Sequence, residues 1–479
     1  MRTALTTLVL AMALSVAAQQ PVALNAAGME KDFDLLRRSL EEVHGGLYRF
    51  ADKQTTDARF DGYRQKIASM TIRREFIHLV MEVLADTRDG HMRLVMDDQI
   101  MSEFSKARLL PFALSIEDDR TIVRFNETKD DSTIRPGYEI LAINGEKTSA
   151  LLQRMYALLP GDGYILTGKQ ARLEDSFAAY YWLLIDTTDH FSLTVKDLKG
   201  KVSDKRIMGV LRTEMEQNQQ SNPVNATIVN ALRSLSGPEE NISLQFPQPG
   251  TAYLRIRSFQ GDRFYQQIDS VFNIIHDKKI SHLVLDLRGN GGGTDMYGAY
   301  LVSQFVMKPF RYFDRIHLRS INPSFTHFRE QSLQELREGT IVDPAGGFLA
   351  TTKLHPGVGE QQPATHPFTG KAFVLTDGGT FSTAADVAAL LRQLTKAVFI
   401  GEETGGGFEG NTSGSNAELL LPNSQLRVRM HLYEYWNAVK VRERGRGTLP
   451  DHVVAERVVD QLKGIDRVLG MALGLAGKE

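Results

Sequence analysis

The chain has 479 residues, 42% hydrophobic and 24% charged, with 56 Lys and Arg against 58 Asp and Glu and no cysteine. That length calls for more than one hydrophobic core, and a net charge of −2 gives no overall basic footprint for nucleic acid. Without cysteine, disulfides, thiolate metal sites, a cysteine nucleophile and a cysteine-borne lipid anchor are all excluded.

Residues 1–18 read as a secretory signal peptide. Arg2 supplies the positive start and residues 4–17 the apolar stretch, while Val16 and Ala18 suit cleavage before Gln19. The stretch is short for a membrane span, and no other segment approaches 18 apolar residues. The mature chain is therefore expected to be exported, periplasmic or secreted, with no integral membrane segment.

Residues 19–102 read as an N-terminal helical domain. In the segment 29–46, Phe33, Leu36, Leu40 and Val43 recur at helical spacing, and Gly45-Gly46 ends the pattern. A second helix is predicted over 72–85, with Thr71 as its cap and Phe76, Leu79, Val80 and Val83 on one face. It ends in the polar turn Asp86-Thr87-Arg88-Asp89-Gly90, followed by His91 and a strand-like MRLVM.

From 103 to 212 the texture changes to short β-type runs separated by Asp, Gly and Asn turns. Pro136-Gly137 marks a turn, 140–143 a strand, and Asn144-Gly145 a tight turn leading into a helix. This segment resembles the PDZ fold, with Tyr138 where PDZ modules usually carry an acidic residue. The resemblance implies a PDZ-like β domain that pairs an extended peptide with a sheet edge. A β scaffold that binds nothing is the alternative. The polar stretch 213–245 reads as a linker. In 246–479, near-continuous apolar strands alternate with helices, which predicts an α/β core.

Two strand–turn–helix junctions of this core can carry chemistry. In VLDLRGNGGGTDMYG, Gly289, Gly291, Gly292 and Gly293 follow an apolar strand, so backbone N–H groups can turn outward as an anion nest or oxyanion hole. A turn selected only for tight packing would look the same. In FVLTDGGTFSTAADVAALL, Ser382 stands at the bend before a helix, where a hydroxyl is exposed beside unpaired amides. Serine is also an ordinary helix N-cap, and residue spacing alone leaves both readings open.

These junctions, with GEETGGG at 401–407 and GRGTLPD at 445–451, resemble the S41 peptidases, the tail-specific and C-terminal processing proteases with their tricorn-core and retinoid-binding-protein relatives. The family segments DLRxNxGG, GExTGG and GxGxxPD occur here in the family order. The resemblance implies a multidomain α/β (α+β) fold: an N-terminal helical domain, a PDZ-like domain and an α/β core of the ClpP/crotonase-like type. It implies an exported serine hydrolase acting on a peptide or protein substrate, with no cofactor or metal.

Carried over by motif, Ser382 takes the nucleophile position, and the amides of Thr383 and of Gly289 or Gly291 take the oxyanion hole. Processing proteases with a Ser–Lys dyad place their lysine where this chain has Gly407, and Lys396 precedes its strand. A lysine base is therefore not expected. The tricorn-like branch uses an early histidine, matched here by His91 in TRDGHMRL. A neutral imidazole accepts a proton near neutral pH. Glu443 is the candidate carboxylate to orient it, with Asp89 and Glu402 as alternatives. Loss of the lysine also leaves room for a non-catalytic protein that binds a peptide or apolar ligand on this scaffold, or for an enzyme acting on another acyl substrate. Gly405, Gly407 and Gly410 spell GxGxxG, but no helix is predicted after them, which argues against a dinucleotide site. HExxH and the P-loop are absent, and the twelve histidines show no metal-ligand spacing. Tyr433, Tyr435 and Trp436 fit either a substrate groove or strand packing.

Overall fold

A computed structural model describes residues 24–324 and 330–478. The expected signal segment 1–18 lies outside the described residues. The first helix, Ala26–Val43, starts where the Asn25 side chain accepts from the Gly28 amide, and it buries Met29, Phe33, Leu36, Leu40 and Val43. A polar helix not foreseen from hydrophobic spacing, Lys53–Ile67, begins at Asp52, whose side chain accepts from Thr55 N–H. The third, Arg73–Asp86, is capped by Glu75 reaching back to the amides of Thr71 and Ile72, with no cap bond from Thr71 itself. Strand Arg93–Val95 then pairs antiparallel with Arg427–Asn437, tying the front of the chain to its end.

The next unit is an antiparallel sheet in the order Phe112–Glu117, Arg120–Asn126, Glu139–Ile143, His190–Lys196, Val202–Met208. Asn144 and Gly145 make the expected turn with positive φ at both residues. Helices Thr148–Leu158 and Thr167–Leu184 follow that turn, and the second is kinked at Ser176.

The stretch expected to be a linker is folded. It forms helices Arg212–Ser221 and Ala226–Ser236, joined through buried asparagines. The Asn225 side chain donates to Asn126 O and accepts from Asn126 N, while Asn222 and Asn218 donate to the carbonyls of Thr128 and Glu127. Side chains that read as solvated are here satisfying backbone groups of the sheet.

Beside this joint lies Glu127, buried, with its carboxyl pushed up to about 7 by burial. A raised carboxyl pKa means that the folded chain holds its proton after the unfolded chain has lost it. Stability is then lost as pH rises from about 4.5 to about 7. Glu127→Gln is expected to gain on the order of 1–3 kcal/mol over the parent at pH 8 and little at pH 5, read from urea midpoints at the two pH values.

In the core, Thr251–Ile256, His282–Asp286, Lys371–Thr376, Val398–Gly401 and His452–Val453 form a parallel run, with Ile242–Gln248 antiparallel on one edge. Leu283 and Leu285 face the main apolar cluster shared with Phe264 and Leu390. Val284 faces the other way, toward helix Arg467–Ala476. Apolar cover on both faces explains why these strands read as continuous apolar runs. A second sheet, antiparallel throughout, gathers Phe313–Leu318, Thr340–Val342, Phe348–Ala350 and Thr412–Leu420 around Arg427–Asn437. The fold is a mixed helix-and-sheet assembly of several sheets.

Candidate active site

Parallel strands present their carboxyl ends to ligands, and here two of those ends carry the glycine turn and the serine turn. At the first, Asp286 is fully buried and accepts from Tyr253 Oη at 2.6 Å and from the Arg288 guanidinium at 3.0 and 2.7 Å. Arg288 continues to Glu456 and Asp466. The Asp-Leu-Arg segment thus braces the turn.

Asn290 joins the two turns. Its side chain donates to Ile256 O and accepts from Gly292 N, and its carbonyl accepts from Phe381 N at 3.0 Å. The backbones then meet so closely that a Cβ on Gly292, at φ +98°, would lie 2.7 Å from Ser382 Cβ and 2.9 Å from Thr383 N. Gly292→Ala is expected to cost about 2–4 kcal/mol and to remove activity with it, measured by thermal melts and by turnover of the surviving folded fraction.

Ser382 sits between strand Lys371–Thr376 and helix Thr383–Leu394 with φ +53° and ψ −131°. This left-handed conformation is strained for a residue with a Cβ and costs about 1–3 kcal/mol. Its hydroxyl caps nothing: the helix start has no side-chain cap bond. The cap reading is thereby removed, and the side chain stands half-buried at a sharp elbow. Among the described residues the amides of Thr383 and Gly291 have no hydrogen-bond partner, whereas Gly289 N is held by Asp377 at 2.9 and 3.1 Å. Of the two glycines considered for the oxyanion hole, Gly291 has the free donor and Gly289 does not.

His91 reaches this elbow from the other end of the sequence. Its ring lies on that of Phe381, centroids 4.5 Å apart, and meets His431 edge-on at 5.7 Å. Neither ring nitrogen has a hydrogen-bond partner, and none joins His91 to Ser382. Asp89 flanks the imidazole, with Oδ1 3.6 Å from Nδ1 and accepting from His91 N–H at 2.7 Å. Its other oxygen accepts from the buried His44 Nε2 at 2.9 Å. Burial alone would raise the Asp89 carboxyl, but the bonds to His44 and His91 outweigh it and hold it far below the usual carboxylate range.

A second carboxylate, Asp162, was not anticipated. It is buried, accepts from Gly90 N at 2.7 Å and Gly407 N at 3.2 Å, and is pushed upward by burial against the opposing influence of His91. It clamps the histidine turn to the core. Ligand atoms of Asp89, His91 and Asp162 lie within 4.8 Å of one another, a spacing one metal ion could span. Every one of those carboxylate oxygens already accepts an N–H.

Glu443 is not at the imidazole. It is 67% exposed and faces Arg446 at 3.6 Å, whereas Asp89, the alternative, is the carboxylate beside the ring. Glu402, pushed up to about 7 by burial, is surrounded by Asp377, Glu456 and Asp118. Tyr435 and Tyr433 pack together at 6.0 Å in the antiparallel sheet, and Trp436 lies under the guanidinium of Arg49. After Gly410 comes the strand Thr412–Leu420, not the helix a dinucleotide site requires.

Residues 250–454 match the model of peptidase family S41. This core belongs to that family. The S41 match covers both glycine-bearing turns and Ser382, and it supports a hydrolase of peptide bonds with peptide or protein substrates. Among solved structures, mature CPAF is 13% identical with a TM-score of 0.65, covering 94% of this chain and 96% of that one. The complex of mature CPAF with lactacystin gives the same identity and TM-score over 94% and 97%. At that identity the likeness is one of fold, and it extends well beyond the S41 segment. No curated protein matches the sequence.

Proposed function

We propose that this chain is an exported serine peptidase that cleaves peptide bonds by acyl transfer, with Ser382 as nucleophile and His91 as general base. The observation that carries the reading is the strained elbow: an unbonded hydroxyl near two unbonded amides, with a histidine whose Nε2 has no partner packed on the neighbouring side chain.

With Nδ1 turned toward Asp89, Nε2 is the nitrogen left to take the hydroxyl proton. The alkoxide adds to the scissile carbonyl, and the amides of Thr383 and Gly291 hold the oxyanion, each donor worth about 10²–10³ in rate. The imidazolium returns its proton to the leaving amine. Water, deprotonated by the same nitrogen, then releases the acyl group from Ser382. His91 comes within hydrogen-bond reach of Ser382 as the substrate seats, a tightening common in sites that are loose when empty. Asp89, beside Nδ1, holds the ring with Nε2 toward the hydroxyl.

Labelling by a serine-directed fluorophosphonate tests the proposal: the parent labels and Ser382→Ala does not. Lactacystin, complexed with mature CPAF, is a second probe of the site. A folded parent that resists the fluorophosphonate and cleaves nothing, yet holds a peptide or apolar ligand tightly, would be a binding protein on the same scaffold.

A further inference from the structure

Two adjoining cavities run along helix Thr167–Leu184 and past the catalytic turns. One, of about 320 Å³, is lined by Arg93, Arg172, Gly379 and Phe381. The other, of about 420 Å³, is lined by Arg124, Arg255, Gly289 and Gly291. Ala171, Asp175 and Gly379 line both, so they form one continuous groove.

Its charge is unbalanced. Arg93 and Arg172 donate only to backbone carbonyls, both of them to Gly90 O, at 2.7 and 2.8 Å. Arg124 and Arg255 each keep a buried Nε without a partner. Among the described residues none of these four guanidiniums has a carboxylate within ion-pair distance. The acids along the groove are mostly committed elsewhere. Glu174 accepts from Ile116 N and Ser115 Oγ, Asp377 from the amides of Gly289 and Gly379, and Glu456 and Asp466 serve Arg288. Asp175 faces Arg124 and Arg172, and burial pushes its carboxyl toward the neutral form.

We infer that this groove selects substrates with acidic side chains close to the scissile bond. The inference rests on the peptidase reading and names its substrate class. Guanidiniums are planar forks suited to carboxylates. Four of them spread through two cavities exceed what a single chain-terminal carboxylate would use. Arg93 and Arg172 share a cavity with Phe381, and Arg124 and Arg255 share one with Gly289 and Gly291, so cations without carboxylate partners adjoin both turns of the site.

The test compares quenched fluorescent peptides that differ only by Glu against Gln around the cleaved bond, each with a free or an amidated C-terminus. The parent should favour the Glu peptide by about tenfold or more in kcat/KM per carboxylate engaged, and the preference should shrink with added salt. In Arg124→Gln/Arg255→Gln the Glu-to-Gln ratio measured within that one protein should fall toward one. Equal rates on the two peptides, a ratio untouched by the double substitution, or a preference that follows only the free C-terminus would overturn the inference. Fluorescence anisotropy of the same peptides on Ser382→Ala reads the groove without catalysis. Acidic binding by a parent that cleaves nothing would keep the groove and discard the peptidase, whereas cleavage without Glu preference would do the reverse.

Discussion

Ser382→Ala is expected to lower kcat by about 10⁶-fold while leaving the fold intact. The size follows from the behaviour of a nucleophile that acts as a unit with its base, where loss of one member removes nearly all of the covalent route. Retention of the fold follows from the bonding: the Ser382 side chain caps no helix amide, so its removal leaves no buried group unpaired. Alanine keeps the unfavourable φ of +53°. Glycine does not suffer from it, so Ser382→Gly should be as inactive as the alanine variant but about 1 kcal/mol more stable, the relief of strain outweighing the entropy of the more flexible residue. Denaturant melts of the three proteins, read beside single-turnover assays, check both halves. Equal stability of the two variants would mean that the elbow stores no strain.

Asp89→Asn is the second large effect. The carboxylate is buried between His44 and His91, and an asparagine of nearly the same shape removes the negative charge beside the ring. A fall of about 10³–10⁴ in kcat with little change in KM is expected. Glu443→Gln, at an exposed site facing Arg446, should change kcat by less than about twofold, so steady-state kinetics on the pair separate the two assignments.

The same substitution has a signature in stability. The folded pKa of Asp89 lies below its ordinary value of 3.8, so its contribution is complete above that value and is lost as pH falls below it. The parent should therefore lose stability more steeply on acidification below about pH 4 than Asp89→Asn does. Parallel slopes would mean that Asp89 carries no special charge interaction in the folded chain.

Much of the core was legible because its signals are local. Apolar runs broken by glycine turns pointed to the strands that the structure places at His282–Asp286 and Lys371–Thr376 and to the helix at Thr383–Leu394. Asp286 and Arg288 could be recognised as a motif, though their bracing role appears only once Tyr253, Glu456 and Asp466 are seen around them.

What escaped sequence reading depends on contacts between distant segments. Asp162 is an unremarkable residue in a Gly-Asp-Gly turn until its two oxygens are found on amides 72 and 245 positions away. Its only local signal was the turn itself. The asparagines at 218, 222 and 225 have the composition of a linker and the burial of a core, because a polar side chain can be inside when its partners are backbone groups. The free amide of Gly291 and the occupied one of Gly289 differ only through Asp377, on the next strand's turn. The strands between 310 and 361 went unread because they are short and pair with segments far away in sequence.

The pairing of Arg93–Val95 with Arg427–Asn437 has a consequence for biosynthesis. The turn that bears His91 is made before the strand that anchors it. A nascent chain that stops short of residue 427 lacks that partner strand, whatever fraction has already folded. The centre proposed around His91 and Ser382 can therefore assemble only after residues 427–437 have joined the strand that follows His91.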